Sequence, residues 1–593
     1  MTRLIVALAL LLPHVTAAAA AAPDGQWFDG AEVRVSDGVF RDAHGREVVL
    51  RGFNVSGTSK LAEHKGLPFA SLEEARSSAV AMRKLTGANA VRFLVTWAWI
   101  EPQPRQIDHA YLDRVAEQVG AFTDQGIRVY VDFHQDLYSR YLFNPGSWYT
   151  GDGAPEWVVR AGGYPKEYCG ICVHWGQNMK KNKAVLDATY DFWHNREVTT
   201  AAGPIRIRDE FVHAAGEALG HLKSAMSAEA FRLVLGANPL NEPYAGRYDD
   251  GQTSLAWERD LLWPFYQHFR QRMDDVGWAD KAAFVEPLVF WNQNVGFFAE
   301  PGGFDLVPPL GDRFVFNSHF YDGKAQSGVL KPGKARDGEY SVDFSRIRDR
   351  AAAMGTTGIV SEFGHPVSGF TSDKNTSVLK GMYQALDSRV PGARWWSEAA
   401  ASGPVLSGSQ WHWDINYGRH KELMNNNPDK VLTDGDAMND EHFSAVRLDG
   451  GPVLNVDGRV VDRMFPRAVA GKTIAFTYED RAQDGKNVLS WNQIPASMPA
   501  VKALVGAGQF GVLVWRSNGV AAPTELHLPA SFSSPTVVSD VPSTVAPEPG
   551  TPGVQRLLLS TQDTGLHFAL VTNSAGPVEA ARAELATWVR TVG

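Results

Sequence analysis

From about residue 45 the chain alternates between two kinds of segment. One is short, apolar and rich in β-branched residues; the other is longer, with apolar positions at helical spacing. The short runs are VVLRGFNVS (48–56), AVRFLVTW (90–97), RVYVDFHQD (128–136), RLVLGANPLNEP (232–243), FVEPLVF (284–290), RFVFNSHFY (313–321), GIVSEFG (358–364) and SGSQWHWD (407–414). Each is the length of a buried strand and is bounded by turn residues. Between them, Ser71 followed by Glu74 forms a capping box that predicts a helix running to about Leu85. Tyr111, Leu112, Val115, Val119 and Phe122 mark the apolar face of the next helix. Eight strands alternating with helices predict a (β/α)8 barrel over residues 23–470. The rival doubly wound sheet lacks a Gly-x-Gly-x-x-Gly turn after its first strand.

Two stretches break the rhythm. Residues 138–205 form a long insertion after the third predicted strand, carrying Trp148, Trp157, Trp175 and Trp193. Its place at the C-terminal end of a barrel strand suits a wall of a substrate cleft, and it equally suits a surface excursion. After about residue 470 the helical spacing disappears. TIAFTYEDR, KNVLSW, FGVLVWR, TELHLP, RLLLST and LHFALVT are short alternating runs punctuated by Gly, Pro and Asp. They predict an antiparallel β-sandwich over 471–593, with 533–553 as a polar loop and a C-terminal helix from Val578 to Val592.

Composition narrows the function class. The net charge of −9 over 593 residues, without a Lys/Arg-rich block, excludes a nucleic-acid partner. Residues 1–22 place Arg3 before an apolar run, Leu4 to Leu12, and a small-residue stretch. This is the pattern of a secretory signal peptide, and the run is too short to span a bilayer. A soluble protein, secreted or periplasmic, is therefore expected, with a monomer as its expected state. Cys169 and Cys172 are the two cysteines of the chain, and an exported protein would join them in a local disulfide. A zinc site would need more ligands, which only His174 and His194 nearby could supply. The 18 Trp, 16 Tyr and 30 Phe would suit stacking on the apolar faces of sugar rings as well as filling a large core.

The candidate chemistry lies at the C-terminal ends of the predicted strands: Arg92, His134, Asn241 with Glu242, His319 with Tyr321, Glu362 and Trp411. In a barrel these ends converge on one face. Glu242 and Glu362 supply the pair of carboxyl groups that glycoside hydrolysis needs, one as proton donor and one to attack the anomeric carbon or activate water. Either glutamate alone would also fit a structural ion pair.

These residues resemble glycoside hydrolase family 5. Asn241-Glu242-Pro243 is similar to that family's acid/base motif on strand four, and Glu362 falls where its nucleophile ends strand seven. The resemblance implies that Arg92 keeps the nucleophile ionised, that His134 is the strand-three histidine, and that Asn241 binds the sugar 2-hydroxyl. It also implies that His319 and Tyr321 are the His-x-Tyr of strand six, and that Trp411, with Trp413 as the competing alignment, floors the first sugar site. A narrower likeness, in VDFHQDLYSRYLF, GSWYTGDGAPEW and MFPRAVAGKTIAFTYED, is to endoglycoceramidases and related glycosylceramide hydrolases, in which a β-sandwich follows the barrel. There Gln135 and Asp136 match a His-Gln-Asp run and would bond sugar hydroxyls, and Lys60 is a further sugar-binding candidate.

The expected activity is retaining hydrolysis of a β-linked glycolipid, the sugar–ceramide bond first, by double displacement without metal or organic cofactor. The expected partner is a glycolipid or oligosaccharide substrate, with transient contact at a membrane surface compatible with it. The alternatives are a β-glucanase, β-mannosidase or β-glucosidase on soluble glycans or steryl glucosides, and an inactive carbohydrate-binding protein. The β-sandwich is expected to brace the barrel.

Overall fold

The computed structural model describes residues 32–593 except 61, 63, 145, 146, 148, 168–174, 328, 329, 332, 369–375, 420–441 and 482–492. The leader, both cysteines and Trp148 therefore lie outside the described residues, as does the whole run KNVLSW.

Eight parallel strands close into a barrel: β1 (Arg51–Val55), β2 (Ala90–Thr96), β3 (Arg128–His134), β4 (Val234–Asn238), β5 (Ala282–Val285), β6 (Phe314–Tyr321), β7 (Gly358–Gly364) and β8 (Ser407–Trp413). All eight were predicted, and the periodicity explains why. On β2 and β3, Ala90, Arg92, Tyr130, Asp132 and His134 alternate with Val91, Phe93, Val129, Val131 and Phe133, which pack outward in the main hydrophobic core. Helix α1 (Leu72–Thr86) starts at the predicted cap, where Ser71 Oγ accepts from Glu74 N at 3.2 Å. Helices α2 (His109–Thr123), α3 (Ile207–Ala225) and α4 (Trp263–Asp275) follow β2, β3 and β4. Helices α5 (Ser341–Ala353) and α6 (Ser377–Asp387) follow β6 and β7. One crossing departs from the alternation: residues 286–313, between β5 and β6, are an irregular loop without a helix.

Strands β6, β7 and β8 each break register near their C-terminal ends, between Ser318 and His319, Val360 and Phe363, and Gln410 and Trp413. Such breaks re-aim side chains. On β7 the consequence is that the consecutive residues Ser361 and Glu362 both reach the barrel interior, where they bond His319 and Arg92.

The other end of the barrel is plugged by the chain's own start. Strands Val33–Ser36 and Val39–Asp42 form a hairpin, and its Val33, Val35 and Phe40 join Leu50, Ala90, Tyr130, Leu235, Phe284, Val315 and Ile359 in one buried cluster. Phe40 and Tyr130 both stack on Phe284, with ring centroids 6.3 and 4.7 Å away.

The C-terminal part is the predicted pair of antiparallel sheets, with different membership. One sheet orders 33–36, 39–42, 47–48, 465–469, 524–528, 555–559 and 543–547; the other orders 471–479, 510–517, 566–572 and 536–539. Residues 33–48 and 465–469, assigned to the barrel from sequence, thus belong to the sandwich sheets. The segment 533–553, expected to be a loop, supplies two strands, and a helix at Pro499–Val505 was not foreseen. The C-terminal helix runs Val578–Trp588 and ends in a 3-10 turn. Buried ion pairs tie the sandwich to the barrel: Arg83 on α1 to Glu548, Lys380 on α6 to Glu479 (2.9 Å) and Asp480 (2.8 Å), and Arg463, just before the sandwich, to Asp387 on α6 (3.5 Å). Among the described residues no helix is long and apolar enough to cross a membrane.

The described residues of the insertion include regular elements. It contains helices Glu156–Gly162 and Lys183–Trp193 and a hairpin at 197–206. Trp157 and Trp193 are buried in the main core, and Trp193 packs edge-on against Trp257.

Candidate active site

The site is built on Arg92, which is wholly buried on β2. Its Nη2 donates to Asp132 Oδ1 (2.8 Å), Asn238 Oδ1 (2.7 Å), Asn241 Oδ1 (2.8 Å) and Glu286 Oε1 (3.3 Å). Its Nη1 donates to Asn54 Oδ1 (3.1 Å) and to Glu362 Oε1. A buried guanidinium demands full pairing. Burial opposes its charge, but Asp132, Glu362 and Glu286 together raise its proton affinity well above the ordinary value.

Glu362 is 4% exposed and accepts from Tyr321 Oη at 2.8 Å as well as from Arg92. The two donors fix the direction of its oxygens, as a nucleophilic carboxylate requires. Glu242 and Glu362 each offer a carboxylate oxygen within 4.8 Å of the other and of a His319 nitrogen.

Glu242 does not end a strand. β4 stops at Asn238, and Glu242 follows on an irregular turn with φ +44°, a left-handed conformation that non-glycine residues rarely adopt. Its backbone is held from both sides: Glu242 N donates to Glu286 Oε2 (3.1 Å), while Gln135 Nε2 donates to Asn241 O (2.8 Å) and Glu242 O (3.3 Å). Gln135 can lie there because Gly153, at φ +113°, passes close by; a Cβ on Gly153 would meet the Gln135 Cβ at 2.6 Å. His319 Nδ1 lies 2.9 Å from Glu242 Oε1, within hydrogen-bonding distance. Burial raises the Glu242 carboxyl's pKa; His319 opposes this and the charge of Glu362 adds to it.

His134, Asp136, Lys60 and Trp411 form the opposite wall. His134 bonds Asp132 Oδ2 (2.7 Å) through Nδ1 and Asp136 Oδ2 (3.2 Å) through Nε2, and Lys60 Nζ donates to Asp136 Oδ2. Burial disfavours the His134 cation, but Asp136 and Asp132 outweigh it and Lys60, raising its pKa to about 10. The Trp411 ring stacks on His134 at 5.8 Å and carries Lys60 Nζ 4.7 Å from its centroid. Trp413 is in the core against Phe53, which leaves Trp411 as the ring at the site.

All ten residues singled out from sequence — Lys60, Arg92, His134, Asp136, Asn241, Glu242, His319, Tyr321, Glu362 and Trp411 — thus lie in one connected network. Two details differ from expectation. Gln135, expected at sugar hydroxyls, braces the Glu242 turn. Asn241 has both ends of its amide engaged, Oδ1 with Arg92 and Nδ2 with Gln135 O at 3.0 Å. Sequence reading passed over Asp132, Asn238, Ser361 and above all Glu286, which immediately follows β5 in Val285-Glu286-Pro287.

Comparison with known proteins finds relatives in sequence and in fold. Residues 41–167 match the model for Cellulase (glycosyl hydrolase family 5). The chain is 28% identical over 389 residues to Endoglycoceramidase I of Rhodococcus hoagii, covering 62% of this chain and 68% of that protein. It is 34% identical over 148 residues to a Glucosylceramidase of Cryptococcus neoformans var. grubii, covering 23% of this chain and only 19% of that protein. The fold is similar to that of Endo-glycoceramidase II from Rhodococcus sp. in its ganglioside GM3 complex, with a TM-score of 0.62, 20% identity, and coverage of 91% of this chain and 100% of that one.

Proposed function

We propose, for a glycoside hydrolase that carries a family 5 domain, that this chain is an exported retaining β-glycosidase acting on glycolipids. The observation that carries the reading is the carboxylate pair itself. Oxygens of Glu242 and Glu362 lie within 4.8 Å, in keeping with the separation of about 5 to 5.5 Å that retention requires and short of the roughly 6.5 to 9.5 Å that inversion requires.

In the first step Glu362 attacks the anomeric carbon, the glycosidic C–O bond breaks, and Glu242 gives its proton to the departing oxygen. In the second, water attacks that carbon, Glu242 takes the water's proton, and the bond to Glu362 breaks. Arg92 and Tyr321 donate to Glu362 and keep it aimed. Burial and the Glu362 charge keep the proton on Glu242 beforehand; once Glu362 is esterified, its charge is gone and Glu242 can act as base. The sign follows: kcat/KM falls as pH rises through the raised pKa of Glu242. Glu242→Gln should lower kcat/KM on a glycolipid by about 10² to 10⁴-fold and remove that basic limb. An activated dinitrophenyl glycoside, which needs no acid, should lose far less. Equal losses on both substrates would sink the acid/base role.

The glycolipid reading is supported by the endoglycoceramidase and glucosylceramidase relatives and by the loop after β5. Val289 N donates to Pro243 O at 2.9 Å, so this loop is tethered beside Glu242, on the leaving-group side. It carries Phe297, 73% exposed, against Phe298, which stacks on Phe290. An apolar ledge there suits a lipid aglycone. Phe297→Ser should cost about tenfold in kcat/KM on a glycosylceramide and leave a soluble aryl glycoside unchanged. The deciding experiment offers glucosylceramide, longer glycosphingolipids, steryl glucosides and cello-oligosaccharides, with products read by mass spectrometry. Release of intact oligosaccharide from ceramide is the expected result; turnover of cello-oligosaccharides alone would overturn it. NMR of the first-formed sugar should show the β-anomer.

A further inference from the structure

We infer that Glu286 is a positioning residue for the acid/base: it fixes the turn that carries Glu242 and supplies the negative charge that keeps His319 doubly protonated. The inference rests on the retaining-glycosidase reading above.

Glu286 is 3% exposed and its two oxygens face different partners. Oε2 accepts the N–H of Glu242 at 3.1 Å. A residue at φ +44° is held only where its surroundings fix it, and this is one of the few bonds that do. Oε1 lies 3.3 Å from each of Arg92 Nη2, Asn317 Nδ2 and His319 Nε2. Glu286 is anchored in turn by Tyr266 on α4, whose hydroxyl donates to Glu286 O at 2.8 Å and lies 3.2 Å from Glu286 N.

The charges around His319 explain the second role. It faces Glu242 after β4, Glu286 after β5 and Glu362 on β7, with Arg92 on β2 and Tyr321 on β6 bonded to Glu362. Burial opposes an imidazolium, yet Glu286 and Glu362 raise the proton affinity of His319 well above the ordinary value. Charged, the ring donates from both nitrogens, Nδ1 to Glu242 and Nε2 to Ser361 Oγ at 3.0 Å. Burial, with the charge of Glu362 adding to it, raises the pKa of Glu242, which keeps a proton where the first step needs it. A neutral His319 would have one N–H between the carboxylate oxygens of Glu242, 2.9 Å from Nδ1, and Glu286, 3.3 Å from Nε2, and would turn a lone pair toward one of them.

Two measurements on the full chain test this. In protein labelled with ¹⁵N-histidine, the His319 signal is identified by its loss in His319→Gln. Wild-type His319 should carry protons on both nitrogens at neutral pH; a neutral ring at pH 7 would overturn the inference, whatever the enzyme cleaves. In Glu286→Gln, His319 should lose its proton about one pH unit or more lower. Its kcat/KM on a nitrophenyl glycoside, a poor leaving group, should fall at least about tenfold more than on a dinitrophenyl glycoside. A uniform fall on both substrates with His319 unmoved would mean Glu286 is only structural and would overturn it. If Glu286→Gln does not fold, the wild-type spectrum decides alone. If wild type cleaves neither glycoside, the functional reading fails while the spectrum still decides the role of Glu286.

Discussion

Glu362→Ala should retain the fold and lose at least about 10⁴-fold in turnover, and azide should restore part of it by forming an α-glycosyl azide. The expectation of an intact fold comes from the network. Arg92 pairs with three carboxylates, so deleting Glu362 still leaves it bonded to Asp132 at 2.8 Å and Glu286 at 3.3 Å. No buried charge is stranded, and strandedness is what makes such deletions destabilising. The loss of rate follows from chemistry: without Glu362 no covalent intermediate forms, and Glu242 alone can only protonate the leaving oxygen. The cavity left by the carboxylate admits a small anion from the same face, which gives a product of opposite anomeric configuration. Turnover near wild type would remove Glu362 from the reaction, and a β-azide product would refute its position on the face opposite the leaving group.

The sequence made much of this site legible because barrel strands obey a simple rule. Interior-facing residues of barrel strands converge, so Arg92, His134, His319 and Tyr321 could be placed from alternation. What it hid follows from two physical facts. The first is long-range pairing. The strand at 47–48 pairs with 465–469, more than 400 residues later in the chain, which hid the true extent of the sandwich. The hairpin at 33–42 carries a local signal, the alternating Val33 and Val35 before Asp37-Gly38, but its place under the barrel depends on distant strands. The strand Ser543–Pro547 is an exposed edge and reads as loop because its polar side chains face water. The second fact is local irregularity. Glu242 sits four residues past β4 on a left-handed turn, and Ser361 and Glu362 share the interior only through a register break. Strict alternation predicts neither. Glu286 had a usable signal, an acidic residue before proline at the end of a buried strand. It resembles Asn241-Glu242-Pro243 in that respect, and a carboxylate placed there must find partners or carry a proton.

The other large effect is expected at Arg92. Arg92→Met preserves much of the side-chain length and removes the charge, leaving Asp132, Glu286 and Glu362 around an apolar chain in a fully buried position. Breaking one partner of a buried ionic cluster costs about 3 to 5 kcal/mol, and here one cation serves three anions. Asn54, Asn238 and Asn241 also lose their donor. The urea midpoint should therefore drop by an amount corresponding to several kcal/mol, and turnover should vanish together with the ordered position of Glu362. Arg92→Lys separates the two consequences. An ammonium restores a positive charge, so part of the stability should return. It cannot reach Asn54 and Glu362 with one nitrogen while holding Asp132, Asn238 and Asn241 with another, as the planar guanidinium does. Activity should stay low in Arg92→Lys even where the fold has recovered. If Arg92→Met proves as stable as wild type, the polar layer below the glutamates is not what holds this end of the barrel together. If Arg92→Lys regains full turnover, the geometry of the guanidinium fork has no part in aiming Glu362.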